Sequence, residues 1–135
     1  MPLNCLDASF RSFEQRVLPE AQKHGVAVLG MKSMGGSGEI ITHGVVTPDE
    51  ALKYAMSLPV ASTISGIDSM QVLEQNLAIA RGFQPLSSEQ MQNIRNQAKT
   101  FAADGRFELF KTTKKYAGKV GRLQHHFPSA DELPA

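Results

Sequence analysis

The stretch 59–76, PVASTISGIDSMQVLEQN, constrains the fold of this chain more than any other part of its sequence. Residues 62–65 favour a β-strand, Gly66 follows, and Asp68 and Ser69 open an amphipathic helix. A strand that feeds the N-terminus of a helix presents backbone amides to anions, nucleotide phosphates above all. The stretch therefore predicts an α/β architecture with an anion site where the strand ends.

Strands and helices alternate along the rest of the chain. The apolar run 26–31 does not alternate with polar residues, as is typical of a strand that is buried on both faces of a parallel sheet. Residues 2–4 resemble the tail of another strand. Strands separated by helices imply right-handed crossovers and a parallel sheet. Helices are predicted at four places: 9–24, from Thr47 to before Pro59, 69–80, and from Ser87 or Ser88 to 104.

The pattern also predicts which side chains form the core. From the strands we expect Val28, Leu29, Thr63 and Ile64 to be buried. From the helix 69–80 we expect an inward stripe made of Met70, Leu73, Leu77 and Ala80.

Local signals mark the helix ends. Thr47 with Glu50 forms a capping box, and Pro48 suits the first helical position. Pro19 interrupts the first helix with a kink or a restart, and Gly25 ends it. Ser87 with Gln90 has the same spacing as the first capping box, so it predicts the start of the last long helix.

Composition limits the class of protein. The chain has 135 residues, 41% of them apolar, which suffices for one core. Cys5 is the single cysteine, so an intrachain disulfide is excluded, and we expect its thiol to be buried. The sequence predicts neither a signal peptide nor a membrane helix, and hence no membrane partner and a reducing, cytoplasmic location. The formal charge of +1 does not argue for or against nucleic acid.

The C-terminal part differs in character from the rest. Residues 106–126 hold six basic residues against one acidic residue, with Phe110 and Tyr116 among them. Such a tail could contact the phosphates of a nucleic acid or nucleotide. The alternative is an extended surface segment that packs across the domain through its aromatic rings. We favour the alternative and expect no nucleic-acid partner, because no recognised nucleic-acid fold surrounds the tail.

Four segments, taken in order, resemble the C-terminal portion of the aldo/keto reductases, in particular their bacterial branch. Residues 1–4 resemble the sixth barrel strand, and 28–35 the seventh strand with the turn along the cofactor pyrophosphate. Residues 51–67 are similar to the helix and strand that close the barrel, and 66–76 to the loop that grips the adenosine.

This resemblance implies a fold and an activity. The fold would be α/β, a partial (β/α)8 TIM barrel made of the last two to three strand–helix units, since a whole barrel takes about 250 residues. Residues 1–106 would form this barrel part, and 107–135 an extended basic tail. The activity would be hydride transfer between a nicotinamide cofactor, NADP or NAD, and a small carbonyl or alcohol. Open strand edges of a partial barrel would allow self-association.

The resemblance also implies a cofactor site. Lys32 would place its ammonium beside the pyrophosphate; the alternative is a solvated strand end. Asn76 would offer a donor and an acceptor to the adenine edge; the alternative is an amide on the helix surface. Gly66 would admit a phosphate because it has no Cβ. The full set of candidate cofactor-binding residues is Gly30, Lys32, Ser33, Met34, Gly66, Asp68, Gln75 and Asn76.

Asp68 and Val72 depart from the family pattern. Many members have a basic or hydroxyl-bearing residue in place of Asp68, and a basic or amide residue in place of Val72, for the extra phosphate of NADPH. Asp68 would repel that phosphate and suits a free ribose 2′-hydroxyl. The alternative role for Asp68 is to cap the helix that begins at Ser69, and the two roles are compatible.

No catalytic residue is assigned. The family's tyrosine, aspartate, lysine and histidine come from its first four strands, and neither Tyr54 nor Tyr116 matches the tyrosine in context. Nor does any of the four histidines match the family's histidine. The sequence thus predicts an aldo/keto reductase-like oxidoreductase fragment that contributes the cofactor site. The alternative is a non-catalytic reductase-like subunit or nucleotide-binding module.

Overall fold

The computed structural model describes residues 1–112, 119–124, 126, 128 and 129. A short 3-10 turn at Asp7–Ser9 precedes the first helix. The helices are α1 (Phe13–Arg16), α2 (Leu18–Lys23), α3 (Glu39–Thr42), α4 (Pro48–Ser57), α5 (Met70–Arg81), α6 (Ser88–Ala102), α7 (Leu109–Thr112) and α8 (Lys119–Gln124). The strands are β1 (Leu29–Gly30) and β2 (Ser62–Thr63).

The sheet is small and parallel. Strand β1 pairs with β2, with Leu29 opposite Ser62 and Gly30 opposite Thr63. On its other side β1 continues into a parallel bridge between Met31 and Pro2. The three extended segments therefore lie side by side with β1 in the middle, and their C-terminal ends meet at one edge.

The predicted partial TIM barrel is wrong. Of the described residues, 52% are helical and 5% lie in strands, and they form a two-stranded parallel sheet in place of the strand–helix units of a barrel. The reason is that a parallel sheet needs cover on both faces, and only one face here is covered. Val28 is buried as predicted, but Leu29 is 53% and Ile64 46% exposed, and Thr63 is half-buried. Without a second layer over Leu29 and Ile64, pairing ends after two residues.

The helix boundaries follow the local signals. Complete capping boxes open α4 at Thr47 and α6 at Ser87, as predicted. The first predicted helix is divided at Val17, and Pro19 stands in the first turn of α2. Gly25, with φ of +66°, follows the end of α2. These four signals act within one helical turn, so distant packing does not override them.

The predicted inward face of α5 is wrong. Met70 is 67% and Leu77 41% exposed, whereas Asn76 and Ile79 are buried. Helix α5 packs on α4. The side of α5 that faces α4 is rotated about the helix axis relative to the predicted apolar stripe. Burial of a polar Asn76 in place of Leu77 marks this rotation.

The core lies between the covered face of the sheet and the helices α4 and α6. Leu3, Leu6, Ile40 and Tyr54 are completely buried in it. Cys5 is also completely buried, as predicted. Within the described residues no helix is long and apolar enough to cross a membrane.

Beyond Phe107, the stretches α7 and α8 are helical where the sequence predicted an extended segment. The side chain of Lys111, counted above among the charges of the basic tail, is only 2% exposed. Lys114, Lys115, Tyr116 and His125, which belong to the basic stretch 106–126, lie outside the described residues, and the division at 106 stays a prediction.

Candidate functional site

A cavity of about 740 Å³ opens at the C-terminal ends of β1 and β2. The turn after β1 forms one wall, and the turn from β2 into α5 forms the opposite wall. Pro48, the first residue of α4, and the short helix α3 complete it. Carboxyl ends of neighbouring parallel strands are the usual place for ligands in α/β sheets, because both following turns meet there.

Six of the eight predicted cofactor residues line this cavity. They come from two parts of the chain that are about thirty residues apart, so the folding of β1 against β2 brings them together. The six are Lys32, Ser33, Met34, Gly66, Asp68 and Gln75.

Gly30 and Asn76 are not among the lining residues. A Cβ at Gly30 would lie 3.6 Å from both Leu3 Cδ1 and Val60 Cγ1, so this glycine faces the core. The Asn76 side chain donates from Nδ2 to Ser65 Oγ at 2.9 Å and is buried. Its Oδ1 is buried without a hydrogen-bond partner among the described residues. Asn76 is therefore neither a surface amide nor open to an adenine edge.

Lys32 is the cation of the cavity. Its backbone is left-handed, with φ of +56°, which turns the chain sharply after Met31. Its carbonyl accepts from Gly35 N at 2.9 Å and from Asn4 Nδ2 at 3.2 Å, and these bonds hold the turn. Its ammonium lies 5.1 Å from the centre of the Phe110 ring. No carboxylate among the described residues forms an ion pair with it.

The glycine-rich turn after Lys32 supplies further polar groups. Gly35 and Gly38 have φ of +83° and +80°, a conformation that other residues adopt only with strain. Ser37 donates its backbone N–H to Glu39 Oε2 at 2.7 Å. One amide of this turn is thus already satisfied by a carboxylate.

The opposite wall carries Asp68 and Gly66. Ser69, not Asp68, caps α5, because Ser69 Oγ accepts from Val72 N at 3.2 Å. The alternative role of Asp68 as the helix cap is therefore wrong. Asp68 is exposed and faces the cavity. A Cβ at Gly66 would meet no protein atom within 4 Å, so protein packing does not require glycine there.

A buried ionic cluster lies next to this cavity, and the sequence analysis missed it. Lys111 Nζ donates to Asp7 Oδ1 at 2.6 Å, to Glu108 Oε2 at 2.8 Å and to the carbonyl of Phe10 at 2.8 Å. Asn4 Nδ2 donates to Glu108 Oε1 at 3.2 Å. Asn4, Asp7 and Glu108 are at most 1% exposed.

The cluster is almost fully hydrogen-bonded, as buried charge requires. Asp7 also accepts from Ser12 Oγ, Phe13 N and Glu14 N, at 2.8 to 3.1 Å. Burial raises the pKa of Glu108 above its usual value, although Lys111 and Asn4 act in the opposite direction. The one local signal for the cluster is the spacing of Glu108 and Lys111 on a helix. The partners near the N-terminus are about a hundred residues away.

A second missed group joins α1, α4 and α6. Tyr54 donates from its hydroxyl to Glu14 Oε2 at 2.7 Å and accepts from Arg95 Nε at 2.8 Å. Burial and the neighbouring Glu14 raise the pKa of Tyr54 above its ordinary value. Tyr54 does not line the cavity and its hydroxyl is bound to Glu14 and Arg95, so this phenol is not in place to protonate a ligand there.

No group of three or more His, Cys, Asp or Glu side chains within the described part of the chain could hold a metal ion. Cys5 is completely buried, and burial raises the pKa of its thiol to about 12, which disfavours the nucleophilic thiolate at neutral pH. That this chain supplies no catalytic residue stays a prediction.

Searches against family models, curated proteins and solved structures found no match to this chain. The resemblance to aldo/keto reductases therefore stays a prediction from the residues quoted above.

Proposed function

We propose that the chain binds the adenosine diphosphate part of a nicotinamide cofactor, NAD or NADP, in the cavity at the ends of β1 and β2. The observation that carries the proposal is that six of the eight residues predicted to bind the cofactor line one cavity. Its volume of about 740 Å³ is in the usual range for small-molecule sites. Its apolar lining from Met31, Met34 and Ile64 suits an adenine ring.

The two charged side chains give the proposed ligand an orientation. The Lys32 ammonium has no carboxylate partner among the described residues, so it is available to a pyrophosphate. The Asp68 carboxylate, on the opposite wall, can accept hydrogen bonds from ribose hydroxyls. A 2′-phosphate beside Asp68 would be repelled, so the proposed preference is for NAD(H) over NADP(H).

The proposed role is binding rather than turnover by this chain alone. General acid catalysis needs a proton donor within hydrogen-bond reach of the reacting group. Tyr54 is committed to Glu14 and Arg95, away from the cavity. This favours the nucleotide-binding module or reductase-like subunit. In an aldo/keto reductase-like oxidoreductase, the same cavity would hold the cofactor while other residues reduce a small carbonyl. A cytoplasmic location belongs to the same proposal, since the free thiol of Cys5 suits a reducing compartment.

Calorimetric titration with NADH, NADPH and ADP tests the binding. We expect the wild-type chain to bind NADH, and Lys32→Met to weaken it. Lys99→Met serves as the matched control, because Lys99 lies at a separate polar depression beside Arg95. Binding of none of the three nucleotides by the wild-type chain, or equal loss in both lysine variants, would refute the proposal.

The preference between cofactors has its own test. Asp68→Ser should shift the ratio of affinities toward NADPH by about 1 kcal/mol, the effect of removing one like charge at an exposed site. Glu74→Gln is the control, since it removes an exposed charge of α5 that does not line the cavity. An unchanged ratio in Asp68→Ser would remove Asp68 from the site.

A further inference from the structure

The ring of Phe110, from the short helix α7, lies against the Lys32 ammonium, the cation of the cavity. The distance from Lys32 Nζ to the ring centre is 5.1 Å, within the range of a cation–π interaction. Lys32 lines the cavity, whereas Phe110 does not. The ring therefore contacts the ammonium without occupying the space of a ligand.

Helix α7 is fixed in place by the buried cluster. Lys111, the next residue after Phe110, binds Asp7, Glu108 and the carbonyl of Phe10. The backbone carbonyl of Lys111 also accepts from Arg11 Nη1 at 2.6 Å. Phe110 is thus carried by a helix turn whose position is set by charges, and not by a freely moving surface segment.

The same cluster fixes the backbone of Lys32. Asn4 donates from one Nδ2 to the Lys32 carbonyl and to Glu108 Oε1, both at 3.2 Å. Asn4 therefore couples the left-handed turn at Lys32 to the acid that anchors α7. The backbone of Lys32 is therefore held by Asn4, and its ammonium faces Phe110. Both contacts depend on the same buried cluster around Glu108 and Lys111.

We propose that Phe110 is a positioning residue, which holds the Lys32 ammonium at the cavity wall and so raises the affinity of the cavity for phosphate groups. An ammonium with one side on an aromatic ring keeps N–H donors free on its other side. A lysine that is ordered before binding loses less side-chain entropy when a phosphate arrives. The proposal rests on the proposed function, because it deepens the role of Lys32 in that site.

The test is a double-mutant cycle with inorganic pyrophosphate and ADP as probes, and adenosine as the probe without phosphate. Phe110→Leu removes the ring but keeps an apolar side chain, and we expect a loss of about two- to fivefold in affinity for pyrophosphate and ADP. Affinity for adenosine should not change. In a Lys32→Met background the same substitution should have no effect, and Phe110→Tyr, which retains a ring, should behave as wild type.

Four outcomes separate this proposal from the cofactor proposal. The positioning role is supported if Phe110→Leu lowers the affinity for pyrophosphate and ADP only when Lys32 is present, and if Phe110→Tyr keeps the wild-type affinity. Equal loss with Lys32 present or absent makes Phe110 a structural residue and overturns it, while cofactor binding stands. Pyrophosphate binding that depends on Phe110, without binding of ADP or NADH, keeps the positioning role and removes the cofactor. Binding of no probe by the folded wild-type chain overturns both.

Circular dichroism of each variant guards against loss of the fold. If Phe110→Leu does not fold, Phe110→Met provides the same test with a longer, more flexible apolar side chain. Nuclear magnetic resonance tests the contact itself through the ring-current shift of the Lys32 Hε protons. That shift should be present in wild type and Phe110→Tyr and lost in the leucine and methionine variants; its absence from wild type would overturn the proposal.

Discussion

Replacing Lys111 by methionine should destabilise the protein far more than the loss of an ordinary ion pair. Three acceptors each lose the Lys111 ammonium as a donor: Asp7 Oδ1, Glu108 Oε2 and the carbonyl of Phe10. Asp7 keeps its hydrogen bonds from Ser12 and two backbone amides, but Glu108 keeps only Asn4. The change thus leaves one poorly satisfied carboxylate buried.

The magnitude follows from the cost of breaking a buried ion pair. Removing one partner of such a pair costs about 3–5 kcal/mol, because the remaining charge is uncompensated. The whole free energy of unfolding of a domain is about 5–15 kcal/mol, so this loss is a large fraction of it. The matched control is Lys53→Met, which breaks a pair with Asp49 of 2.9 Å on the surface of α4. That pair should contribute only about 0.3–0.5 kcal/mol.

The pH dependence gives an independent check. The pKa of Glu108 is already raised in the folded chain by burial, and loss of Lys111 should raise it further. Between the two pKa values, a carboxyl with a higher pKa in the folded than in the unfolded chain binds more protons in the folded chain. Its contribution to the free energy of unfolding therefore rises as the pH falls from the folded pKa to the unfolded pKa. The deficit of Lys111→Met relative to wild type should therefore be smaller at pH 5 than at pH 7.

Urea unfolding of wild type, Lys111→Met and Lys53→Met at both pH values measures these quantities. Equal free energies of unfolding for the two lysine variants would refute the reasoning, as would a deficit of Lys111→Met that does not change with pH. A change in the slope of the free energy of unfolding against urea concentration would indicate that the variant alters the compactness of the folded or the unfolded state, and not only their relative stability.

A glycine turn, the buried thiol and the cavity can each be tested separately. Gly105→Ala should lower the free energy of unfolding in urea more than Gly44→Ala does. Both glycines have positive φ, but only at Gly105 would the new Cβ meet a Phe10 ring atom, at 2.5 Å. Equal losses would show that the Phe10 ring moves aside freely. Cys5, buried and with its pKa raised to about 12, should resist iodoacetamide in the native state at pH 8 and react in urea; equally fast native labelling would contradict its burial. The purified chain should not oxidise NADH with aldehydes or ketones above background, since no proton donor was assigned; robust turnover would require a different active site.

Features that depend on a few neighbouring residues were predictable from the sequence. The capping boxes at Thr47 and Ser87 act within one turn, and the structure contains both. The meeting of six candidate residues at one cavity was predictable for a similar reason: the parallel pairing of the strands brings the turns after Lys32 and before Asp68 to one edge. That inference needs only parallel strands, and so it survives the failure of the barrel.

Features that depend on distant packing were not predictable. The apolar runs 26–31 and 61–67 indicated strands that are buried on both faces. Burial of a strand depends on the helices that pack on the sheet, however, and the sequence of the strand does not determine them. Gly30 was placed in the site by its position in the sequence, whereas the period of two along a strand turns it with Val28 toward the core. No periodic pattern connects Asp7 to Lys111.

The ion pair between Asp7 and Lys111 has a consequence for biosynthesis. A ribosome adds about 5–20 residues each second, so the lysine is made roughly 5–20 s after the aspartate that it neutralises. During that interval the segment around Asp7 has its local amide donors but not its cation. The N-terminal segment therefore cannot complete its native electrostatic environment until Lys111 has been added to the chain. Chains released early, before Lys111, would keep an uncompensated carboxylate in their core and be substrates for chaperones and proteases.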